Sequence, residues 1–254
     1  MSAWLFDLGN TRLKCAPLQA DGRAGAALAL PHREEDVAAA LAQALPARIE
    51  VAYLASVAAP GLRLTVLDAL TARCARIAVA RTQARLGAVR IAYADPRKLG
   101  VDRFLALLGT HARGDGASLV CGVGTALTVD LIDADGLHLG GRIAPSPTLM
   151  REALHARAAQ LPEQGGDYVD FAADTEDALA SGCDGAALAL IERSLDAAQQ
   201  RLGQRPRLLL HGGGAEALQP HLPEAEPAPG LVLDGLAIWA AVEREGLAAG
   251  GVAA

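Results

Sequence analysis

At 254 residues, with 52% hydrophobic residues and a mean hydropathy of +0.23, the chain can build one large domain or two of about 100–150 residues, each around an apolar core. The net charge of −6, with no basic run, argues against a nucleic-acid partner, and the lack of any long uninterrupted apolar stretch argues against a membrane-spanning helix. Four widely spaced cysteines (Cys15, Cys74, Cys121, Cys183), without a CxxC pair or paired histidines, argue against a zinc site and imply buried free thiols.

The N-terminus runs through Met-Ser-Ala-Trp directly to Asp7, so no export signal is expected, and a cytoplasmic setting follows. Residues 2–7 predict a buried strand, 12–18 a return strand, 34–45 a helix and 50–57 a strand ending before Pro60. A helix over 61–73 and a short strand over 76–80 complete an alternation that implies parallel pairing opened by an antiparallel hairpin. A Pro-bounded loop from residue 95 then leads to a strongly apolar helix near Asp102. The second half repeats the first, with strands over 117–122, 126–133 and 137–143, and helices over 147–158 and 176–201. A strand over 207–211 follows, then the turn Gly212-Gly-Gly214 leading into a helix, a last helix over 233–245, and a frayed Gly/Ala tail.

Two similar turns stand at equivalent places in these halves. Asp7-Leu8-Gly9-Asn10-Thr11-Arg12-Leu13-Lys14 and Gly122-Val-Gly-Thr125-Ala-Leu-Thr-Val-Asp130 align Gly9 with Gly124 and Asn10 with Thr125. Such turns expose backbone N–H groups and side-chain donors that hold phosphate oxygens, and two of them suggest two related domains gripping one nucleotide. Asp7 at a strand end is suited to hold Mg²⁺ through water, and Lys14 supplies a point charge. Taken singly, either turn is equally a Gly-Asn hairpin connection. Asp102, next to Arg103 at a helix start, is either a helix cap or a positioned general base. Gly140-Gly141 and Gly212-Gly-Gly214 permit either flat approach by a ligand or a tight turn, and His211 at the second of these reads as a packing or solvent residue.

The chain resembles the type III pantothenate kinases, the family that includes the Bvg accessory factor proteins. The likeness rests on seven ordered motifs: Asp7-x-Gly-Asn-Thr-x-x-Lys14, Tyr93-x-x-Pro96-x-x-Leu-Gly-x-Asp-Arg103, Gly124-Thr-Ala-x-Thr-x-Asp130, Gly140-Gly-x-Ile-x-Pro145, Leu161-Pro162, Thr175-x-x-Ala178-x-x-Ser-Gly182 and Leu231-Val-Leu-x-Gly-Leu236. It implies an α/β fold of duplicated ribonuclease-H-like, actin-like ATPase domains, each a mixed sheet flanked by helices, expected here as residues 1–115 and 116–254. It implies a homodimer and transfer of the ATP γ-phosphate to pantothenate, the opening step of coenzyme A synthesis. Asp102 would then be the general base; Tyr93, Gly100, Val101, Arg103 and Thr175 would hold pantothenate; Asp7 to Lys14 and Thr125 would hold ATP with Mg²⁺. The family's activating K⁺ or ammonium ion is bound by an Asp that this chain replaces with Gly122. Ser146, Ala158 and His211-Gly-Gly-Gly214 are further departures. The competing expectation is a regulatory protein on this scaffold that binds a nucleotide or other ligand without turnover.

Overall fold

The computed structural model describes residues 2–30, 37–114 and 116–250. The first residues of the helix expected at 34–45, and the end of the tail, lie outside them. The chain forms two compact units, Met1–Gly114 with Gly230–Ala254, and Asp115–Pro229. The C-terminal segment, expected with the second domain, therefore belongs by its contacts to the first unit.

The first unit opens with β1 (Ala3–Leu8), β2 (Leu13–Leu18) and β3 (Leu28–Leu30), followed by α1 (Val37–Ala44), β4 (Ile49–Ser56), α2 (Pro60–Thr71) and β5 (Cys74–Val79). Its sheet has the order β3-β2-β1-β4-β5, antiparallel across β1–β2–β3 and parallel across β1–β4–β5. A small hairpin of β6 (Arg85–Leu86) and β7 (Val89–Arg90) precedes α3 (Val101–Ala112). The second unit holds β8 (Ser118–Val123), β9 (Ala126–Ile132), β10 (His138–Pro145), α4 (Pro147–Arg157), α5 (Thr175–Leu202), β11 (Arg207–His211), α6 (Ala215–Leu218) and β12 (Ala225–Pro227). Its order, β10-β9-β8-β11-β12, is that of the first sheet, with the same parallel and antiparallel pairs. The duplication expected from the two turns is present strand for strand.

Period-two alternation decides which side chains serve the core. In β1, Phe6 and Leu8 enter a cluster with Leu41 of α1 and Leu62, Val66 and Leu70 of α2. Asp7 thus faces the opposite side of the sheet, the side against which α3 and α7 (Leu231–Gly250) pack. There Tyr53 of β4 meets Trp239 of α7 edge to face, with ring centroids 6.3 Å apart. In β8, Leu119, Cys121 and Val123 pack with Leu188, Ile191 and Leu195 of α5, leaving Gly122 on the other face.

Helix ends follow local chemistry. Pro60 starts α2 at a position that needs no N–H, Asp174 caps α5 by accepting from the Asp177 amide at 2.9 Å, and Gly203 ends it at φ 72°. Gly140 lies inside β10 at a bulge, with φ 116°. Cys15, Cys121 and Cys183 are buried; burial pushes the Cys15 thiol up to about 11, and Cys121 and Cys183 upward too.

α3 and α7 approach closely because glycines face each other's backbone. A Cβ on Gly109 would stand 2.5 Å from the Leu231 carbonyl oxygen, and one on Gly235 would run into that of Leu105. Gly235→Ala is therefore expected to lower stability by about 1–3 kcal/mol through forced separation of the helices. Denaturant unfolding checks this; an unchanged midpoint would refute the contact.

Candidate functional site

In the first unit, Asp7 near the end of β1 lies between Lys14 of β2 and Ala55 of β4. The turn is closed by the Gly9 amide donating to the Arg12 carbonyl at 3.1 Å. Asn10, Thr11 and Arg12 are exposed, while Leu8 and Leu13 are fully buried in the core, so only the backbone of those two is available to a ligand. A Cβ on Gly9 would make only an ordinary 3.5 Å contact with the Arg12 oxygen, and Gly9 does not have a positive φ. Neither a tight contact nor a positive φ accounts for this glycine.

Asp102 stands in the first turn of α3, but the helix is capped by Gly100 and not by Asp102. The Asp102 carboxylate folds back to accept from the Arg103 amide at 2.9 Å. A side chain on Gly100 would meet Asp102 Oδ1 at 2.5 Å, so Gly100 keeps clear the volume that the carboxylate occupies. Arg103 is 6% exposed, with Nη1 3.4 Å from the Tyr93 hydroxyl and the guanidinium 5.9 Å from the centroid of that ring. Val101 is at the edge of burial. Thr82 donates to the Leu99 carbonyl at 2.8 Å, and Asp95 accepts from the Arg97 amide, fixing the loop before the helix.

Asp7 and Asp102 act on each other. Removal of the Asp7 carboxyl from water, and after it the negative charge of Asp102, raise its pKa from 3.8 to about 7, with Lys14 opposing. Among the described residues, no group of three or more His, Cys, Asp or Glu is placed to hold a metal. One carboxylate with a second nearby fits Mg²⁺, which takes few protein ligands and completes its shell with water and phosphate.

The second unit carries the other turn. Thr125 is exposed, and its carbonyl accepts from Ser146 Oγ at 3.0 Å. Ser146, 1% exposed, also caps α4 by accepting from the Leu149 amide at 3.2 Å, so this departure ties the turn to the helix. Thr175 is exposed at the start of α5, in a groove of about 530 Å³ with Leu161, Ala172 and Ala178. A Cβ on Gly122 would stand 2.7 Å from Thr128 Oγ1 and 2.9 Å from His211 Nε2. On the same face of β9, buried Asp130 is 2.9 Å from His138 Nε2. The residues around Gly122 thus do not fit a monovalent cation bound by a carboxylate at that position. Ser146, Thr128 and His211 went unmarked as a group; strand alternation, which puts Gly122, Thr128 and His211 on one face, is the signal that would have found the last two.

Two sheets of one order define the actin-like ATPase fold. The chain belongs to the type III pantothenate kinase family, whose model it matches over residues 4–197. It is 61% identical over 240 residues to the type III pantothenate kinase of Xanthomonas euvesicatoria pv. vesicatoria (strain 85-10), covering 94% of this chain and 98% of that one. Among solved structures it is similar to a conserved Baf family protein from Campylobacter jejuni, with a TM-score of 0.58, 19% identity and coverage of 92% and 94%. It is also similar to the activator of the 2-hydroxyisocaproyl-CoA dehydratase from Clostridium difficile, with a TM-score of 0.51, 14% identity and 96% of each chain covered. At these identities the two structures bear on the fold alone.

The raised pKa of Asp7 makes the ligand-free protein pH-sensitive. Between about pH 4 and about pH 7 the folded state binds more protons than the unfolded state, so the contribution of Asp7 is fully present below pH 4 and is lost as pH rises to 7. The loss has a ceiling of about 4 kcal/mol. Asp7→Asn is expected to remove it, gaining on the wild type from pH 4 to pH 8 in denaturant unfolding; parallel profiles would refute the assignment. Ser146→Ala is expected to cost about 1 kcal/mol by the same measurement, and no loss would contradict its capping role.

Proposed function

We propose that this chain transfers the γ-phosphate of ATP to the hydroxyl of pantothenate, giving 4'-phosphopantothenate and opening coenzyme A synthesis. The observation that carries this reading is the Tyr93–Arg103 segment, which sets Asp102 at the mouth of α3 within electrostatic reach of Asp7, in a chain of this family. Phosphoryl transfer depends on positioning and charge stabilisation more than on a strong nucleophile, and a carboxylate held by a helix-start amide is suited to that demand.

Asp102 accepts the proton of the pantothenate hydroxyl. Arg103, supported by Tyr93, pairs with the pantothenate carboxylate, and Gly100 and Val101 complete its binding in the first unit. The turn from Asp7 to Lys14 takes the phosphate chain on its amides and on Lys14. Asp7, with water, would hold Mg²⁺. Bound Mg²⁺–ATP supplies the phosphoryl group and neutralises its developing charge. The reaction needs no carboxylate-bound K⁺ at Gly122.

A homodimer is the second part of the proposal. It is supported by the apolar side chains that the second unit exposes, among them Ile143 at 65%, Leu154 at 43% and Phe171 at 98%. Dependence on ATP supports a cytoplasmic location, and no helix among the described residues is long and apolar enough to cross a membrane.

An assay coupling ADP release to pantothenate addition tests the activity. Asp102→Asn is expected to lower kcat at least 100-fold with the fold intact, because an amide cannot accept the proton. Near-normal turnover would remove Asp102 as the base. Exchanging K⁺ for Na⁺ is expected to leave the rate essentially unchanged, and a many-fold K⁺ activation would overturn the reading of Gly122.

A further inference from the structure

Charge is unevenly spread along the first unit. Between Asp68 and Asp102 the chain carries six arginines and one lysine against a single acid, Asp95, in a protein whose net charge is −6. Asp95 is itself taken up by Arg97, which donates from Nε and Nη2 to its two carboxylate oxygens at 3.0 and 3.1 Å. Arg81, Arg85, Arg90 and Lys98 are exposed, and they form no ion pair among the described residues.

The fold gathers these bases beside the loop that leads to Asp102. The parallel strands β1, β4 and β5 end on one edge: the Val57 amide, just past β4, donates to the Leu8 carbonyl at 3.1 Å, and the Ala80 amide, just past β5, donates to the Leu54 carbonyl at 2.8 Å. Arg81 thus leaves β5 at the carboxyl edge, where open α/β sheets receive ligands. Its neighbour Thr82 is tied to the Leu99 carbonyl, one residue before Gly100. The β6–β7 hairpin then buries Leu86 and Val89 and leaves Arg85 and Arg90 outside, directly opposite each other. Glu243 of α7 lines a cavity with Gln83, Leu86 and Trp239, on the buried side of the hairpin. Arg85 is held at the hairpin's tip by donating from Nε to the Gly87 carbonyl at 2.9 Å. Arg90 stands three residues before Tyr93, at most about 10 Å along an extended chain.

Like charges facing each other across two strands repel, and the hairpin keeps them together without an acid between them. The reaction proposed above brings a carboxylate to a unit that already holds Asp7 and Asp102 close together, in a protein of net negative charge. Coulomb repulsion opposes that approach, and bases within a Debye length, about 10 Å at 0.1 M salt, offset it. We propose that Arg81, Arg85, Arg90 and Lys98 form a capture surface, which draws the pantothenate carboxylate toward the Tyr93–Arg103 segment through their field and without touching it in the bound state. This rests on the kinase reading above, and it assigns the surface to substrate capture and not to the chemical step.

Steady-state ADP release with saturating Mg²⁺–ATP, run at ionic strengths of about 0.02 M and about 0.5 M, tests this. At the lower strength the combined variant Arg81→Gln, Arg85→Gln, Arg90→Gln is expected to show a pantothenate KM roughly threefold above wild type, with kcat and the thermal unfolding midpoint unchanged. At the higher strength, where the field is screened, the two proteins are expected to converge. The combined variant Arg81→Lys, Arg85→Lys, Arg90→Lys keeps the charges and is expected to follow wild type in both. Equal KM values at the lower strength would overturn the proposal. So would a difference that persists at the higher strength or appears in the lysine variant, since either would mark lost contacts and not a lost field. A wild type that releases no ADP with pantothenate in either salt would instead refute the kinase reading on which the proposal rests.

Discussion

Two carboxylates held within each other's field are the constraint on which the first unit depends. Asp7 has no choice of side, because Phe6 and Leu8 are committed to the core between the sheet and α1 and α2. α3 has little choice of position, because Gly109 and Gly235 lock it against α7. Apolar burial therefore holds Asp102 near Asp7, an arrangement that charge alone opposes, and Lys14 relieves only part of it.

The duplication shows what such a turn needs and what it can change. Strand order, pairing and turn position are common to both units, since each follows from alternation and from the short connection between the first two strands. The side chains beside the turn are not common. Asp7 with Lys14 forms a charged pair in one unit, and Thr128 with His211 closes over a glycine in the other. The scaffold fixes a place beside a phosphate-sized turn and leaves the charge at that place open.

Much of this was legible in the sequence, for identifiable reasons. The strands 207–211 and 126–132 and the helix 147–157 were found almost to the residue, because Gly and Pro punctuate them and apolar residues run through them. The strands Leu28–Leu30, Arg85–Leu86, Val89–Arg90 and Ala225–Pro227 were missed, being too short to show a period. The helix expected after Gly214 is only four residues long. The return of α7 to the first unit was hidden because amphipathicity identifies a helix but not its partner; the glycines that choose the partner stand one on each of two helices far apart in the chain. The motif residues Asp7, Lys14, Tyr93, Asp102 and Arg103 were all marked in advance, yet Leu8 and Leu13 turned out to be core, as alternation within β1 and β2 demands.

The choice between cap and catalyst at Asp102 needed coordinates, because both predict an acid at a helix start. The cap position belongs to Gly100, whose missing side chain is what gives the carboxylate its place. An acid there for helix stability alone would gain from the cap position itself, and would not need a glycine two residues before it. Keeping that volume open costs backbone entropy at Gly100 and gives the helix no side-chain cap. The carboxylate thus holds one orientation, against the Arg103 amide, at the expense of the last fraction of helix stability.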